Sequence, residues 1–538
     1  MTNRTFKSGV SREQSSLLPA RVEDYVGRDN PVRAIDAYVG ALDLKQLGFR
    51  HAGPGGDGAG QPPYDPADLL KLYLYGYLNR VRSSRRLEQE TQRNLEVIWL
   101  LKGLTPAYRT IGNFRKDNWA ALKAANRDFV LLARQAGLMG GELVAIDGAF
   151  FHGDASKGSI TTRKKLAKQL AALDKDIEAY RGALDANDAE EARHAPGGED
   201  RDNGGDRDGG DAGQKLAALM AKRAQAKADL DRLEASGETQ LSKTDPDARL
   251  LSKSGQSLAG YNVQIAVDGK HKLIVADEVV NDGNDTGQLY EMAKAAKQAL
   301  TTETLTVVAD VGYYNGATLK RCEEDGIVAY VPEAERTGRL EAKGCFSHED
   351  FAYDAALNVY RCPAGAPLYP TKQLKQNTGG RLEVRYMSRT AVCRACALRA
   401  RCISAKSGTR TIYRWVHEDV LERHRARMKD AGGMMRRRAS LAEHPFGTLK
   451  CRAGYRHFLV RGFDKVRGEW SIMALSYNLA RVLNILGFDG FLARLAIWIA
   501  EQGNLSLKSV LTTLTNVILA VLDRLQPRSV QNAAPCLV

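Results

Sequence analysis

The chain has 538 residues, which allows two to four domains that each bury a core. A hydrophobic fraction of 43% is typical of a globular protein, and 78 Lys and Arg against 64 Asp and Glu give a net charge of +14. That surplus favours a polyanionic partner, of which nucleic acid is the commonest. The first ten residues lack the apolar core of a secretory signal, and the apolar stretch 510–522 is shorter than the roughly 20 residues of a membrane-spanning helix. We therefore expect a cytoplasmic protein without a membrane partner.

Residues 1–140 are predicted to form a helical DNA-binding domain. Asp65 is placed to cap a helix that begins at Pro66, and the basic segment 80–86 follows its apolar run. A second helix is predicted to start near Thr110. Short helices with Arg-rich turns are typical of helix-turn-helix DNA readers, and a plain helical bundle with solvated charges is the alternative. The predicted DNA contacts of this domain are Arg85, Arg86, Arg115 and Lys116.

From residue 142 onward, short apolar runs replace the helical pattern. One run ends at Asp147 and another, 305–309, ends at Asp310. The predicted elements are a strand at 143–146, a hairpin of 261–267 with 273–280, a helix at 286–300, a strand at 305–309, a helix at 317–324 and a strand at 327–331. This order predicts an α/β class with a ribonuclease-H-like catalytic core formed by residues 141–159 and 241–335.

Residues 160–240 interrupt that core. Leu166, Leu170, Leu173 and Ile177 follow heptad spacing, and a second segment from Leu216 to Leu233 continues it. The pattern predicts an inserted antiparallel helical hairpin that acts as a structural or dimerising arm. The Gly- and Asp-rich stretch 196–213 between the two helices is predicted to be disordered.

Carboxylates at strand ends are the first candidates for chemistry. Groups at the ends of neighbouring strands converge at one sheet edge, so Asp147 and Asp310 can share divalent ions. Carboxylate oxygens suit Mg²⁺ or Mn²⁺, and two such ions roughly 3.5–4 Å apart activate a water or a 3′-hydroxyl. Glu443 is one candidate for a third acid, and a helix over this region would place Lys450, seven residues later, on the same face. The sequence leaves three rivals open: Glu418, Glu422 and Glu469.

Three segments resemble the DDE transposases of bacterial insertion sequences, most closely the subgroup numbered eleven-eighty-two. They are Ala-Asp-Val-Gly-Tyr at 309–313, Gly-Tyr-Asn-Val-Gln at 260–264 and Glu-His-Pro-Phe-Gly-Thr-Leu-Lys at 443–450. The resemblance implies a ribonuclease-H-like core, two Mg²⁺ ions held by Asp147, Asp310 and Glu443, and movement of an element bounded by inverted repeats. Its DNA partners would be the terminal repeats and a target, bound by at least a dimer in the nucleoid of a bacterial cell. A catalytically silent DNA-binding regulator and a plain nuclease of the same fold are the alternatives.

Cysteines gather in residues 336–410, which are predicted to form a Cys-rich zinc module. A Cys-x-x-Cys pair is followed by one further cysteine and preceded by another, and four thiolates can close a tetrahedral zinc site. The predicted ligands are Cys362, Cys393, Cys396 and Cys402. Either Cys345 or His348 could replace one of them, and reduced cysteines without metal are the alternative.

The C-terminal part of the catalytic core is predicted at 411–485, followed by a helical tail at 486–538. Basic residues in this part are interleaved with Phe446, Tyr455, Phe458 and Trp470. Basic side chains contact phosphates and aromatic rings stack on unpaired bases, so we favour DNA contact over a buried role for the rings. The predicted DNA contacts here are Arg438, Lys450 and Arg452.

Overall fold

A computed structural model describes residues 21–52, 62–194, 209–253, 255–333, 344–377, 380–403 and 408–502. The helices are α1 (Pro31–Gly40), α2 (Pro66–Leu78), α3 (Ser84–Arg93), α4 (Leu95–Leu100), α5 (Tyr108–Asp117), α6 (Trp119–Gln135), α7 (Arg163–His194), α8 (Gly209–Ser236), α9 (Leu289–Leu300), α10 (Gly316–Glu324), α11 (Thr390–Arg394), α12 (Arg399–Cys402), α13 (Glu418–Met428), α14 (Gly432–Phe446) and α15 (Phe463–Gln502). The strands are β1 (Leu143–His152), β2 (Ile160–Thr162), β3 (Gln240–Ser242), β4 (Arg249–Lys253), β5 (Gln256–Asp268), β6 (Ile274–Val280), β7 (Leu305–Val308), β8 (Ile327–Tyr330), β9 (Ala352–Asp354), β10 (Val359–Arg361), β11 (Pro367–Gln376), β12 (Leu382–Met387) and β13 (Thr411–Trp415).

A mixed sheet with β1 near its centre organises the molecule. β5 pairs antiparallel with β1 along one edge, and its other edge is shared by β4 and β6. β7 pairs parallel with β1, and β8 pairs parallel with β7. The predicted hairpin of 261–267 with 273–280 is confirmed, as is the order of strand, hairpin, helix, strand, helix and strand. β4 is an additional strand that the sequence pattern did not predict.

The predicted helical hairpin is present as α7 and α8, above the short ribbon of β2 with β3. Leu166, Leu173, Ala226 and Leu233 form a small core of their own, as the heptad spacing predicted. The structure starts α8 at Gly209, so the last residues of the stretch 196–213 are helical and the prediction of disorder is wrong for them. The rest of that stretch lies outside the described residues.

The N-terminal helices share one hydrophobic core with the main sheet and α15. Asp65 caps α2 as predicted, because its carboxylate accepts the Ala67 backbone N–H at 2.8 Å and Pro66 occupies the first turn. α2 is buried on almost every side, and α6 packs along α15. The predicted boundary at residue 140 therefore falls between two elements, α6 and β1, without separating two cores.

The buried carboxylate of Glu469 connects α15 to the N-terminal helical region. Its Oε1 accepts the Tyr77 hydroxyl at 3.0 Å and lies 3.3 Å from Nη1 of Arg115 and 3.8 Å from Nη1 of Arg82. Its Oε2 accepts the backbone N–H of Leu459 at 2.8 Å. The exposed fractions of the Glu469, Arg115 and Arg82 side chains are 0%, 7% and 9%. A buried charge of this kind is stable only when it is paired and hydrogen-bonded.

A second sheet, in the order β13, β12, β11, β10, β9, is antiparallel throughout. Its small core contains Phe351, Tyr360, Leu368, Tyr386 and Ile412. The sheet extends one strand beyond residue 410, where the sequence analysis ended the Cys-rich module.

By length and composition alone, α15 is apolar enough to cross a membrane. A buried core helix passes the same test. Its backbone leaves the helical conformation at Gly487, where φ is 69° and ψ is 177°. Residues 468–479 are buried without interruption inside the protein. The predicted tail lies mostly outside the described residues, and only its portion up to residue 502 is seen, as the end of α15.

Replacing Glu469 with Gln should lower the free energy of unfolding by about 3–5 kcal/mol, because it leaves two buried arginines without a compensating charge. Glu291→Gln is the matched control, since the Glu291–Arg321 pair at 2.9 Å is 60% and 51% exposed on its two sides. The control should cost less than about 1 kcal/mol. Denaturant unfolding measures both, and equal losses would contradict the structural role of Glu469.

Candidate active site

Asp147 lies in the middle of β1, opposite Ile265 of β5 and two residues beyond Ala145, the last residue of β1 that pairs with β7. Residues alternate across a strand, so Asp147 shares its face with Leu143 and Ala145, which pack against Leu441 of α14. Oδ1 of Asp147 accepts the Gly148 backbone N–H at 2.9 Å. Burial raises the pKa of the Asp147 carboxyl, and the negative charge of Asp310 adds to that rise.

Asp310 follows β7, the parallel neighbour of β1. Its carboxylate caps the short 3₁₀ turn of residues 311–313 by accepting the Gly312 backbone N–H at 2.9 Å. Tyr313, at the end of this turn, is fully buried. Burial raises the pKa of the Tyr313 phenol well above its ordinary value, and Asp285, Asp147 and Asp310 raise it further. The Tyr313 phenol thus lies within electrostatic range of both predicted aspartates and of a third one, Asp285.

Asp285 is the functional candidate that the sequence analysis missed. It follows β6 in a loop, its exposed fraction is 6%, and Oδ1 accepts Nδ2 of Asn262 at 2.8 Å and Nε2 of Gln264 at 2.7 Å. Asn262 and Gln264 lie two residues apart on β5 and are both 0% exposed. Two fully buried amides on one face of a strand require partners, and that requirement was the available signal.

Two glycines, Gly148 and Gly312, pack closely against the polar side chains of this site. A Cβ on Gly148 would lie 2.4 Å from Nε2 of Gln264, 2.7 Å from Oδ1 of Asp285 and 3.0 Å from the Tyr313 hydroxyl. A Cβ on Gly312 would lie 3.0 Å from Oδ1 of Asp310 and 3.7 Å from Oδ2 of Asp285. The structure therefore leaves no room for a side chain at Gly148 or Gly312, beside Gln264, Asp285 and Asp310.

Glu443 lies on α14, which crosses β1, and its side chain is exposed. Leu441 and Phe446 face inward as predicted. The helix continues as a π-helix over Gly447–Arg452, so the α-helical spacing that placed Glu443 and Lys450 on one face does not hold. That prediction is wrong: Glu443 faces solvent, whereas Lys450 is half-buried and donates to the Phe150 carbonyl at 2.6 Å.

Two predicted basic residues, Arg438 and Lys450, interact electrostatically with the carboxyl group of Asp147. The positive charge of Arg438 opposes the rise in the pKa of Asp147 that burial causes. Burial lowers the pKa of Lys450 to about 8, and the charge of Asp147 partly opposes that shift. The Lys450 ammonium also lies 4.4 Å from the centre of the Phe151 ring. Lys450 therefore lies against the part of β1 that follows Asp147.

The three rival acids are engaged in ion pairs. Glu418 pairs with Arg425 at 3.0 Å and Glu422 pairs with Arg414 at 2.5 Å. Glu469 is the buried partner of Arg115 and Arg82. The sequence resemblance favours Glu443 over these three, and its role as the third acid stays a prediction.

The structure contradicts one predicted DNA contact, Arg115. Its exposed fraction is 6%, because its guanidinium is held inside by Glu469, so it cannot reach a phosphate. Arg85, Arg86, Lys116 and Arg452 are exposed, which DNA contact requires, and their role stays a prediction. The proposed stacking rings are also buried, with Phe446, Tyr455, Phe458 and Trp470 all in the main core, so base stacking by them is excluded.

Within the described ranges, no three His, Cys, Asp or Glu side chains form a group that could hold a metal ion. The donor chemistry nevertheless suits a hard divalent cation, because Asp147 and Asp310 supply carboxylate oxygens just past the paired part of two neighbouring parallel strands. Asp147 and Asp310 would hold such an ion, and Glu443 would have to turn inward to join them.

The four predicted zinc ligands surround one cavity of about 270 Å³ beside the second sheet. Cys362 opens a turn after β10, Cys393 lies in α11, Cys396 follows it and Cys402 ends α12. Burial raises the pKa of the Cys402 thiol, and the other three cysteines add to the rise. Burial acts in the same direction on Cys393, but hydrogen bonds from the Arg410 backbone, Thr409 and Ser388 hold the pKa of its thiol below the ordinary value. His348 instead packs against the Tyr360 ring, 5.6 Å between centroids.

Gly148→Ala should abolish metal-dependent DNA cleavage, because the added methyl group would overlap Gln264 and Asp285 and push the carboxylates apart. Gly182→Ala on α7 is the matched control, since its Cβ would meet nothing within 4 Å. The control should keep full activity and gain up to about 1 kcal/mol of stability from helix propensity. A cleavage assay together with thermal unfolding distinguishes the two variants, and full activity of Gly148→Ala would contradict the described geometry.

Comparison with known proteins gives two family matches. Residues 361–483 match a model described as a transposase DDE domain, and residues 20–117 match one described as a transposase domain (DUF772). No curated protein matches the chain. Among solved structures, a piggyBac transposase synaptic complex with hairpin DNA covers 94% of this chain and 87% of its own at 8% identity, but its TM-score of 0.30 is too low to support any conclusion. Both family matches, one towards each end of the sequence, are to transposase models, and they support DNA transposase function with the metal-dependent DNA cleavage and strand transfer that the DDE family implies.

Proposed function

We propose that this transposase cuts DNA at the inverted-repeat ends of an insertion sequence with Asp147 and Asp310 as its central metal ligands. One observation carries the assignment: β1 and β7 are neighbouring parallel strands whose last pair is Ala145 with Val308, and each aspartate lies two residues beyond its own member of that pair. Both aspartates lie between the two segments that match the family models, so this geometry is independent evidence for them.

The chain's own residues have distinct parts in this proposal. Asp147 and Asp310 bind the ions, and Glu443 turns from solvent to complete the set. Mg²⁺ or Mn²⁺, as a pair of ions, would activate a water or a 3′-hydroxyl and stabilise the departing oxygen. Arg438 and Lys450 lie beside Asp147, where they can attract a DNA phosphate to the acids.

The wider assignments follow from the same site. The strand order around β1 supports a ribonuclease-H-like core, and the three sequence segments support the subgroup numbered eleven-eighty-two. We propose that exposed Arg85, Arg86, Lys116 and Arg452 contact the terminal repeats or the target DNA. Synapsis of two ends would require at least a dimer in the bacterial nucleoid.

Asp147→Asn and Asp310→Asn should each abolish cleavage of DNA that carries the element's ends in Mn²⁺ buffer. The loss should exceed the roughly 10–100-fold cost of altering a residue that only supports a metal ligand. Glu443→Gln should reduce cleavage to a similar extent, and Glu349→Gln, an exposed acid near the second sheet, is its control. Binding of the DNA ends without metal should survive in all four variants.

Other outcomes separate the alternatives. Full strand transfer by Asp310→Asn would refute the assignment of the acids. Cutting without joining would identify a plain nuclease, and DNA retention without any cleavage by the wild type would identify a silent regulator.

We also propose that Cys362, Cys393, Cys396 and Cys402 bind a structural zinc ion. Support comes from the shared cavity, from three separate chain segments supplying the thiols, and from the few apolar residues in the core of the second sheet. Small modules with so little core gain stability from a bound metal. The thiols would have to turn into the cavity, since none of the described cysteines belongs to a ready metal group.

Purified protein, freed of loosely bound metal by mild chelation, should contain about one zinc per chain. Cys393→Ser/Cys396→Ser should lose it and melt at a lower temperature, whereas Cys451→Ser, an exposed cysteine elsewhere, should change neither quantity. Elemental analysis and thermal unfolding measure the two effects. Less than about half a zinc per wild-type chain would contradict the site.

A further inference from the structure

We propose that Asp285 is a positioning residue of the catalytic site. Through Gln264 and Tyr313 it holds the turn that Asp310 caps against the strand that carries Asp147. The inference rests on the proposed function only for the roles of Asp147 and Asp310.

The carboxylate of Asp285 is buried and depends on two amides. Nδ2 of Asn262 and Nε2 of Gln264 both donate to Oδ1, and Nδ2 of Asn262 also lies 3.2 Å from the Asp282 carbonyl. The cation beside Oδ2 is Lys253 at 3.7 Å, and its side chain is 54% exposed. Since this exposed lysine is a weak, screened partner, the amides are what stabilise the buried charge.

The direction of each hydrogen bond in this group is fixed. The Tyr313 phenol stays protonated because burial and three nearby carboxylates raise its pKa well above the ordinary range. It therefore donates to Oε1 of Gln264, which leaves Nε2 of the same side chain to donate to Asp285. Tyr313 thus donates to Gln264, and Gln264 donates to Asp285. We call this chain of two hydrogen bonds, both pointing towards Asp285, the relay.

This relay spans the parts of the fold that carry the two metal-binding aspartates. Gln264 lies on β5 directly opposite Gly148, the residue after Asp147. Tyr313 ends the turn that Asp310 caps, and Thr286, next to Asp285, donates to the Gly312 carbonyl at 3.3 Å. Backbone pairing of β1 with β7 ends at Val308, and the Ala309 N–H still bonds to the Tyr330 carbonyl of β8 at 3.1 Å. The turn at 311–313 has its own internal backbone bonds, and the contacts of Tyr313 and Gly312 described above tie it to β5 and to the loop of Asp285. Asp285 thereby sets where the Asp310 carboxylate lies.

Amide hydrogen exchange tests the positioning without metal or DNA. In Asp285→Ala, exchange in a peptide covering 309–316 should rise, because the turn loses its support. Asp282→Ala is the matched control: it lies in the same loop, is exposed, and accepts Nε2 of Gln288 at 2.7 Å. It should leave exchange unchanged, and Asp285→Asn, which keeps an acceptor oxygen for both amides, should restore most of the protection.

Cleavage of end DNA gives the second readout. Asp285→Ala should lose roughly 10–100-fold, as expected of a residue that orients a metal ligand, while its metal-free DNA binding stays unchanged. Tyr313→Phe removes one hydroxyl from the relay and should shift both readouts in the same direction, even where Asp285→Ala fails to fold. Unchanged exchange in 309–316, or raised exchange with full cleavage, overturns the proposal. Cleavage activity of Asp310→Asn would instead refute the proposed function. The exchange measurement is made without metal or DNA, so the two failures can be told apart.

Discussion

The buried carboxylate of Glu469 is the constraint on which the assembly of this chain depends. It lies at 0% exposure beside buried arginines and takes its partners from α2, α5 and the segment before α15. A charge taken out of water costs several kcal/mol unless its partners are in place, so the N-terminal helices and α15 must come together for either to be stable. The N-terminal segment that matches a transposase model therefore shares one core with the part of the C-terminal match that includes α15, although Asp147 and Asp310 lie between the two segments in the sequence.

The same constraint extends to the active site. Arg82, one partner of Glu469, donates to the His457 carbonyl at 2.8 Å, and the neighbouring Phe458 backbone N–H bonds to the His152 carbonyl at the end of β1. β1 is thus fixed at its far end by the segment that follows α14 and its π-helical continuation. That attachment places Lys450 over β1, where its ammonium reaches the Phe150 carbonyl. The buried ion cluster, the central strand and the basic border of the site form one continuous set of contacts.

The sequence predicted those parts of the site that local pattern determines. Asp147 and Asp310 end or follow apolar runs, and such runs form central strands whatever else the chain does. Arg115 was misassigned because a basic side chain on a short helix looks the same in sequence whether it faces DNA or a glutamate 354 residues away. Asp285 was missed because a loop aspartate gains meaning only from Asn262 and Gln264 on another strand. Glu443 and Lys450 lost their shared face because a π-helical turn, which no simple periodicity announces, follows Phe446.

The unequal placement of the three acids has a physical cause. Asp147 and Asp310 are fixed by the sheet and by backbone N–H groups, and even without a cation the charge of Asp310 raises the pKa of Asp147. A third carboxylate fixed at the same point would add like-charge repulsion to the cost of burial. On α14, the apolar contacts of Leu441 and Ala442 hold the helix while the Glu443 side chain stays in water. In the proposed site, two carboxylates held at the sheet and one exposed carboxylate on α14 therefore limit like-charge repulsion before metal ions and DNA bind.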